Sequence, residues 1–267
     1  MNARQADFAT ARQLLSEVGI AVAGRLVSTR EEAVAAADAL GFPCVMKTLS
    51  PDLIHKTDAG VVALGIETPA TAAASYDTIM ANARRAGADL IEGVLVQKQA
   101  RAGFELLVGA QQDPVFGPVT MIGYGGRYVE LFKDVASGVG VLSRKDVERM
   151  LAETLAGRVV AGFRGPALDK EAVIDLTIRV SRLMEAHPEV RELDLNPVIL
   201  YERGCAIVDV RVILGEPVVH PRAVDLSEAR LQRLQAIFEA KSVAVVGAST
   251  PRSEEHTSEL QSHLCIS

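Results

Sequence analysis

The sequence predicts a mixed α/β fold, α+β in its detail, divided into two subdomains. Three observations lead there. Up to about residue 92, amphipathic helices alternate with short β-branched runs. From Gly93 the character changes to strand-like runs separated by Gly-containing connections, and two helices then precede a closing pair of strands. With 267 residues, 49% of them hydrophobic, the chain can build one large core or two moderate ones.

Phe8, Ala11, Leu15 and Val18 fall at helical spacing, and Gly19 follows as a C-terminal cap. A short extended piece lies around Leu26 and Val27. Ser28, with Glu31 three residues on, reads as a capping box for a helix over 30–40 that Gly41 and Pro43 stop. The run Cys44-Val45-Met46 is a strand reaching Lys47, a polar loop occupies 49–60, and a second strand covers 61–66. Thr68 and Pro69 supply the N-cap and first residue of a helix ending near Gly87. Strands follow at 94–97, 104–110, 119–122 and 128–132, mainly antiparallel. Ser143 and Asp146 start a helix over 145–156, a longer one runs 169–186 up to Pro188, and strands 193–201 and 205–213 meet at a tight Arg203-Gly204 turn.

Composition excludes several function classes. A net charge of -6 with scattered Lys and Arg gives no basic footprint, so a nucleic-acid partner is not expected. No apolar run approaches the ~18–20 residues that span a bilayer, and the amino end lacks the apolar core of a signal peptide. The expectation is a cytoplasmic chain without membrane contact. Cys44 and Cys205 sit singly in strand-like runs and Cys265 in the tail, which offers neither a disulfide framework nor a CxxC site.

Chemistry concentrates in two places. The 49–60 loop carries His55, Lys56, Thr57, Asp58 and Gly60 beside Lys47. Lysines supply positive charge, Gly60 allows close backbone approach, and an imidazole can take a phosphoryl group, so the loop reads as phosphate-handling. Residue types alone fit a solvated connector as well. In the closing hairpin, a two-residue turn at Arg203-Gly204 would set Asn196 opposite Arg211 and diagonal to Asp209 on one face, with Asp194 alongside. An amide and a carboxylate oxygen converging there suit Mg²⁺ completed by phosphates and water. The same spacing fits a polar hairpin in which Asp209 answers Arg211. Glu105, at the start of a strand, could hold sugar hydroxyls or simply face solvent, and Gly125-Gly126 permits close approach to phosphate or a plain turn.

After residue 215 come a linker with one short helix over 216–240 and the run VAVVGAS over 243–249, which reads as a first Rossmann strand entering its Gly-rich turn. The tail over 252–267 has no apolar periodicity and looks like a translated sequencing adapter. It is set aside, His256 and His263 with it, and a longer natural chain is expected.

In this order the motifs VMKTLSPDLIHKTDAG, GVLVQKQARAGFELLVG, DPVFGP, GYGGRYVELFKDVA, GFRG and ELDLNP resemble the ATP-grasp β part of ADP-forming acyl-CoA synthetases, the family of ADP-forming acetyl-CoA synthetase. They are similar, more distantly, to the β subunit of succinyl-CoA synthetase. The resemblance spans about Ala9 to Leu214. It implies an ATP-grasp fold whose N-terminal subdomain (1–92) and C-terminal subdomain (93–215) enclose a nucleotide cleft, with 241–251 opening a CoA-binding domain. Lys47 would contact nucleotide phosphates, Gln97 and Lys98 with the backbone beside them would form the adenine-reading hinge, and Glu105 would hold ribose. Gly125 and Gly126 would lie against phosphate. Asn196 and Asp209 would hold Mg²⁺, and His55 would be the phosphorylated histidine. The motif departs from the family at Val61, where a second Gly is usual and a β-branched residue disfavours positive φ. The implied ligands are ATP or ADP with Mg²⁺, and the implied partners are CoA-binding and ligase domains of the same or another chain. A regulatory ATP-grasp-like module of a protein lysine acetyltransferase is the alternative, though such proteins usually place the CoA-binding part first.

Overall fold

The computed structural model describes residues 3–53, 59–126, 134–218, 232, 235, 239 and 240. The chain divides into Met1–His220 and Pro221–Ser267, and the first unit holds the elements that follow. The 49–60 loop's His55 and Lys56, the strand expected over 128–132, and most of the linker, Rossmann and tail segments lie outside the described residues.

Strand β1 (Arg4–Gln5) leads into helix α1 (Phe8–Glu17), whose N-cap Asp7 accepts from Thr10 N. Strand β2 (Arg25–Val27) precedes α2 (Arg30–Leu40). The capping box here is Thr29 with Glu32, one residue beyond the expected Ser28 and Glu31. Glu32 reaches back to the amides of both Ser28 and Thr29, and that double contact selects the later register. Strands β3 (Cys44–Leu49) and β4 (Val62–Ile66) and helix α3 (Pro69–Arg85), capped by Thr68, follow as expected.

Strands β5 (Gly93–Lys98), β6 (Phe104–Asp113), β7 (Gly117–Tyr124) and β8 (Val135–Val139) come next. The helix expected over 145–156 is two helices, α4 (Arg144–Ala152) and α5 (Leu155–Val160). Thr154 caps the second, and the Asp134 carboxylate accepts from Leu155 N and Ala156 N, both at 2.8 Å. Helix α6 (Lys170–Ala186) and strands β9 (Val190–Leu200), β10 (Cys205–Ile207) and β11 (Val210–Leu214) complete the unit. Among the described residues no helix is long and apolar enough to cross a membrane.

Two antiparallel sheets result. One runs β2-β5-β3-β4; the other runs β1-β11-β9-β6-β7-β8, with β10 also on β9. Cys44, Met46, Val94 and Val96 on one face of the smaller sheet pack against Ala33, Ala36, Ala37, Ala72 and Ile79, where small alanines let α2 and α3 come close. Leu106, Val108, Ile122, Leu193 and Leu195 of the larger sheet pack on Met150, Val180, Leu183 and Met184.

The pairing runs across a division at Gly93. β5 is bonded on both sides within the smaller sheet, to β2 and β3. The amino end belongs to the larger sheet: β1 pairs with β11, and Ala11, Leu14 and Leu15 enter that core. Packing overrides the change in sequence character.

Candidate functional site

Strand alternation creates the site. Since Cys44, Met46, Val94 and Val96 face the helices, Val45, Lys47, Leu49, Leu95 and Gln97 share the sheet's other face. Two polar residues there are buried, Lys47 at 5% exposure and Gln97 at 7%. A buried ammonium requires partners. Lys47 Nζ donates to the Val208 carbonyl at 2.5 Å and lies 3.7 Å from Asp209 Oδ1. Gln97 Nε2 donates to the Ala23 carbonyl at 2.7 Å. One lysine of the smaller sheet thus reaches the closing hairpin of the larger one.

The hairpin register differs from the expected one. Cys205 pairs with Leu200 and Ile207 with Val198, and Tyr201 N donates to Gly204 O at 3.1 Å, so the two turn residues are Glu202-Arg203 rather than Arg203-Gly204. Asp169 at the head of α6 fixes this pair at the turn: its amide donates to Tyr201 O at 2.8 Å and its carboxylate accepts from Gly204 N at 2.6 Å. Beyond Ile207 the ladder breaks and resumes with Val210 opposite Leu195. Asn196 and Pro197 therefore face Val208 and Asp209, and Arg211 pairs with Asp194 instead of Asn196. The shift of two positions keeps every side chain on its face. On the other flank of β9 the pairing with β6 is also irregular, between Leu106 and Val108, so β9 is kinked where Asn196 sits.

Asn196 links this hairpin to the glycine pair, since its Oδ1 accepts from Gly126 N at 2.8 Å. Gly126 has φ +74°, and a β-carbon there would stand 1.6 Å from Glu105 Oε2. Gly125 N donates to Glu105 O at 2.9 Å, and a β-carbon on Gly125 would stand 2.3 Å from the Leu106 backbone. Glu105, Gly125, Gly126 and Asn196 are thereby gathered into one cluster, and Lys47 with Asp209 into another, joined through the facing Asn196 and Asp209 positions. Lys98 is not brought in. It alternates to the opposite face of β5, and its Nζ donates to the Phe42 carbonyl at 2.6 Å.

The residue types suit a hard divalent cation. Asn196 and Asp209 present oxygen donors, and Asp194 Oδ1, two positions before Asn196 on β9, is buried with no hydrogen-bond partner among the described residues. Burial pushes the Asp194 carboxyl above the ordinary range; Arg211 opposes this, while Asp209 and Glu192 add to it. Among the described residues no group of three His, Cys, Asp or Glu side chains could hold a metal by itself, so phosphates and water would have to complete such a site.

Between the free face of the smaller sheet and the hairpin lies a cavity of about 30 Å³, lined by Leu49, Glu92, Leu95, Gln97, Val208 and Asp209, with α1 on its far side. That volume suits one or two waters. The backbone partners at Val208 and Ala23 escaped sequence reasoning because a carbonyl carries no residue-type signal. Glu92, whose Oε2 accepts from Phe8 N at 2.9 Å and so ties the smaller sheet to α1, carried no motif either.

A family model described as an ATP-grasp domain matches residues 2–214. The chain is 43% identical over 208 residues to acetate–CoA ligase (ADP-forming) I of Archaeoglobus fulgidus, covering 77% of this chain and 30% of that protein. It is 38% identical over 211 residues to the beta subunit of acetate–CoA ligase (ADP-forming) II of Pyrococcus furiosus, covering 76% of this chain and 89% of the subunit. Among solved structures, an acetyl-coenzyme A synthetase 1 from Ca. Korarchaeum cryptofilum in complex with coenzyme A, Ca-AMPCP and HgCl+ matches at 40% identity and TM-score 0.76, over 79% of this chain and 94% of that one. A second structure of that protein, with coenzyme A and Mg-AMPPCP and its phosphohistidine segment pointing towards the nucleotide site, matches at 38% identity and TM-score 0.70, over 79% and 93%.

Proposed function

The chain belongs to the ATP-grasp family, and from that premise we propose that it is the ATP-grasp part of an ADP-forming acyl-CoA synthetase, binds ATP or ADP with Mg²⁺ between its two sheets and passes the terminal phosphoryl group through His55. The observation that carries this reading is the reach of Lys47 from β3 to Val208 and Asp209, with Asn196 facing that pair across the hairpin. A cation and two oxygen donors on opposite walls suit a triphosphate and its metal.

In this reading Lys47 neutralises phosphate oxygens, Asn196 and Asp209 hold Mg²⁺, Glu105 takes ribose hydroxyls and the Gly125-Gly126 backbone lies along phosphate. Gln97 and the backbone at Lys98 form the adenine hinge. Mg²⁺, when bound, supplies charge neutralisation on the phosphoryl oxygens. A neutral His55 nitrogen bonds to the γ-phosphorus while the bond to the β–γ bridging oxygen breaks, and ADP leaves with that electron pair. The acyl phosphate and thioester steps fall to CoA-binding and ligase domains of this or a partner chain, for which 241–251 would be the beginning. The full reaction is then acid plus CoA plus ATP giving acyl-CoA, ADP and phosphate.

The test is incubation with γ-labelled ATP and Mg²⁺. An acid-labile, base-stable label is expected, and His55→Asn should abolish it. Equal labelling of the variant would remove His55 from the mechanism.

A further inference from the structure

We propose that Lys47 is a latch that holds the nucleotide cleft shut and excludes divalent metal until a nucleotide arrives. This rests on the reading of Asp209 as a metal ligand and adds an order of binding to it. Lys47 lies on the smaller sheet; the residue is 5% exposed, and its ammonium is 2.5 Å from the Val208 carbonyl and 3.7 Å from the Asp209 carboxylate on the larger one. The same cation thus engages one of the two hairpin groups that a metal would use, the Asp209 carboxylate.

Two consequences follow from charge and volume. A cation beside Asp209 opposes a second cation at that carboxylate, because both draw on one negative charge. The adjoining cavity, about 30 Å³, is far below the roughly 300 Å³ or more of ligand pockets, so it does not itself admit a nucleotide. Nucleotide phosphates offer the ammonium a stronger partner than a neutral carbonyl does. Lys47 then turns from Val208 to phosphate, Asp209 is released, and the metal enters with the nucleotide. Metal alone is held weakly, since the lysine takes its place.

The experiment measures Mn²⁺ binding to the nucleotide-free protein by electron paramagnetic resonance. Lys47→Met keeps the length and apolar stem but removes the charge, and should bind Mn²⁺ about tenfold tighter than wild type. Lys47→Gln, which retains a donor for Val208, should show the same gain and serves if the Met variant does not fold. Affinity equal to or weaker than wild type in the folded variants overturns the latch. Adding Asp209→Asn must erase the gain; if the gain persists, the metal sits elsewhere and the latch is also wrong. Mg-ADP affinity of the single Asp209→Asn protein, measured separately, reports on the site reading itself, so the two failures are told apart.

Discussion

A half-buried ionic residue shows best what single side chains contribute here. His187 closes α6 against α1: Nε2 meets Glu17 Oε2 at 2.9 Å and Nδ1 meets Glu189 Oε1 at 3.0 Å, with the ring one-fifth exposed. Burial disfavours the imidazolium, but the hydrogen bonds it donates to Glu189 and Glu17 outweigh it and raise the pKa above the ordinary 6.5. A raised folded-state value means the clasp stabilises fully below that ordinary value and is lost as pH rises through the folded one. Wild type should therefore lose melting temperature relative to His187→Gln between about pH 6 and about pH 8. A difference between the two proteins that stays constant across that window would show that the ring is not charged in the fold.

At the scale of elements, the sequence was most readable where a short side chain must satisfy a helix end. Thr68 with Pro69, Ser143 with Asp146 and Asp169 each head the helix expected of them. It was least readable where satisfaction came from afar. The break between α4 and α5 depends on Asp134, 21 residues before Leu155. Strand β8, VASGV, has small residues at its centre and takes its strand character from the ladder to β7. Asp134→Ala strips two amides of their acceptor and should cost about 1–2 kcal/mol in denaturant unfolding. No change in the midpoint would mean that Thr154 alone suffices to start the helix.

Across the whole molecule, the amino-terminal elements and β5 exchange sides relative to a division by sequence character: β1 and α1 complete the larger sheet, and β5 completes the smaller. Local pattern cannot foresee this, since β1 has two residues and β5 reads the same beside either sheet. Of the site, the residues with distinctive chemistry (Lys47, Glu105, Asn196, Asp209) were legible. The register that sets Asn196 across from Asp209 was not, because it depends on Asp169, remote in sequence, holding Tyr201 and Gly204 as the pair that flanks the turn. Among the described residues, Lys47 joins the two sheets through the Val208-Asp209 segment, as Glu92 joins the smaller sheet to α1. Calorimetric titration of Mg-ADP into wild type and Asp209→Ala tests that arrangement most directly. A loss of at least about tenfold in affinity, as removal of a charged metal ligand implies, is the expected result; equal affinity in a folded variant would contradict a nucleotide site at this hairpin.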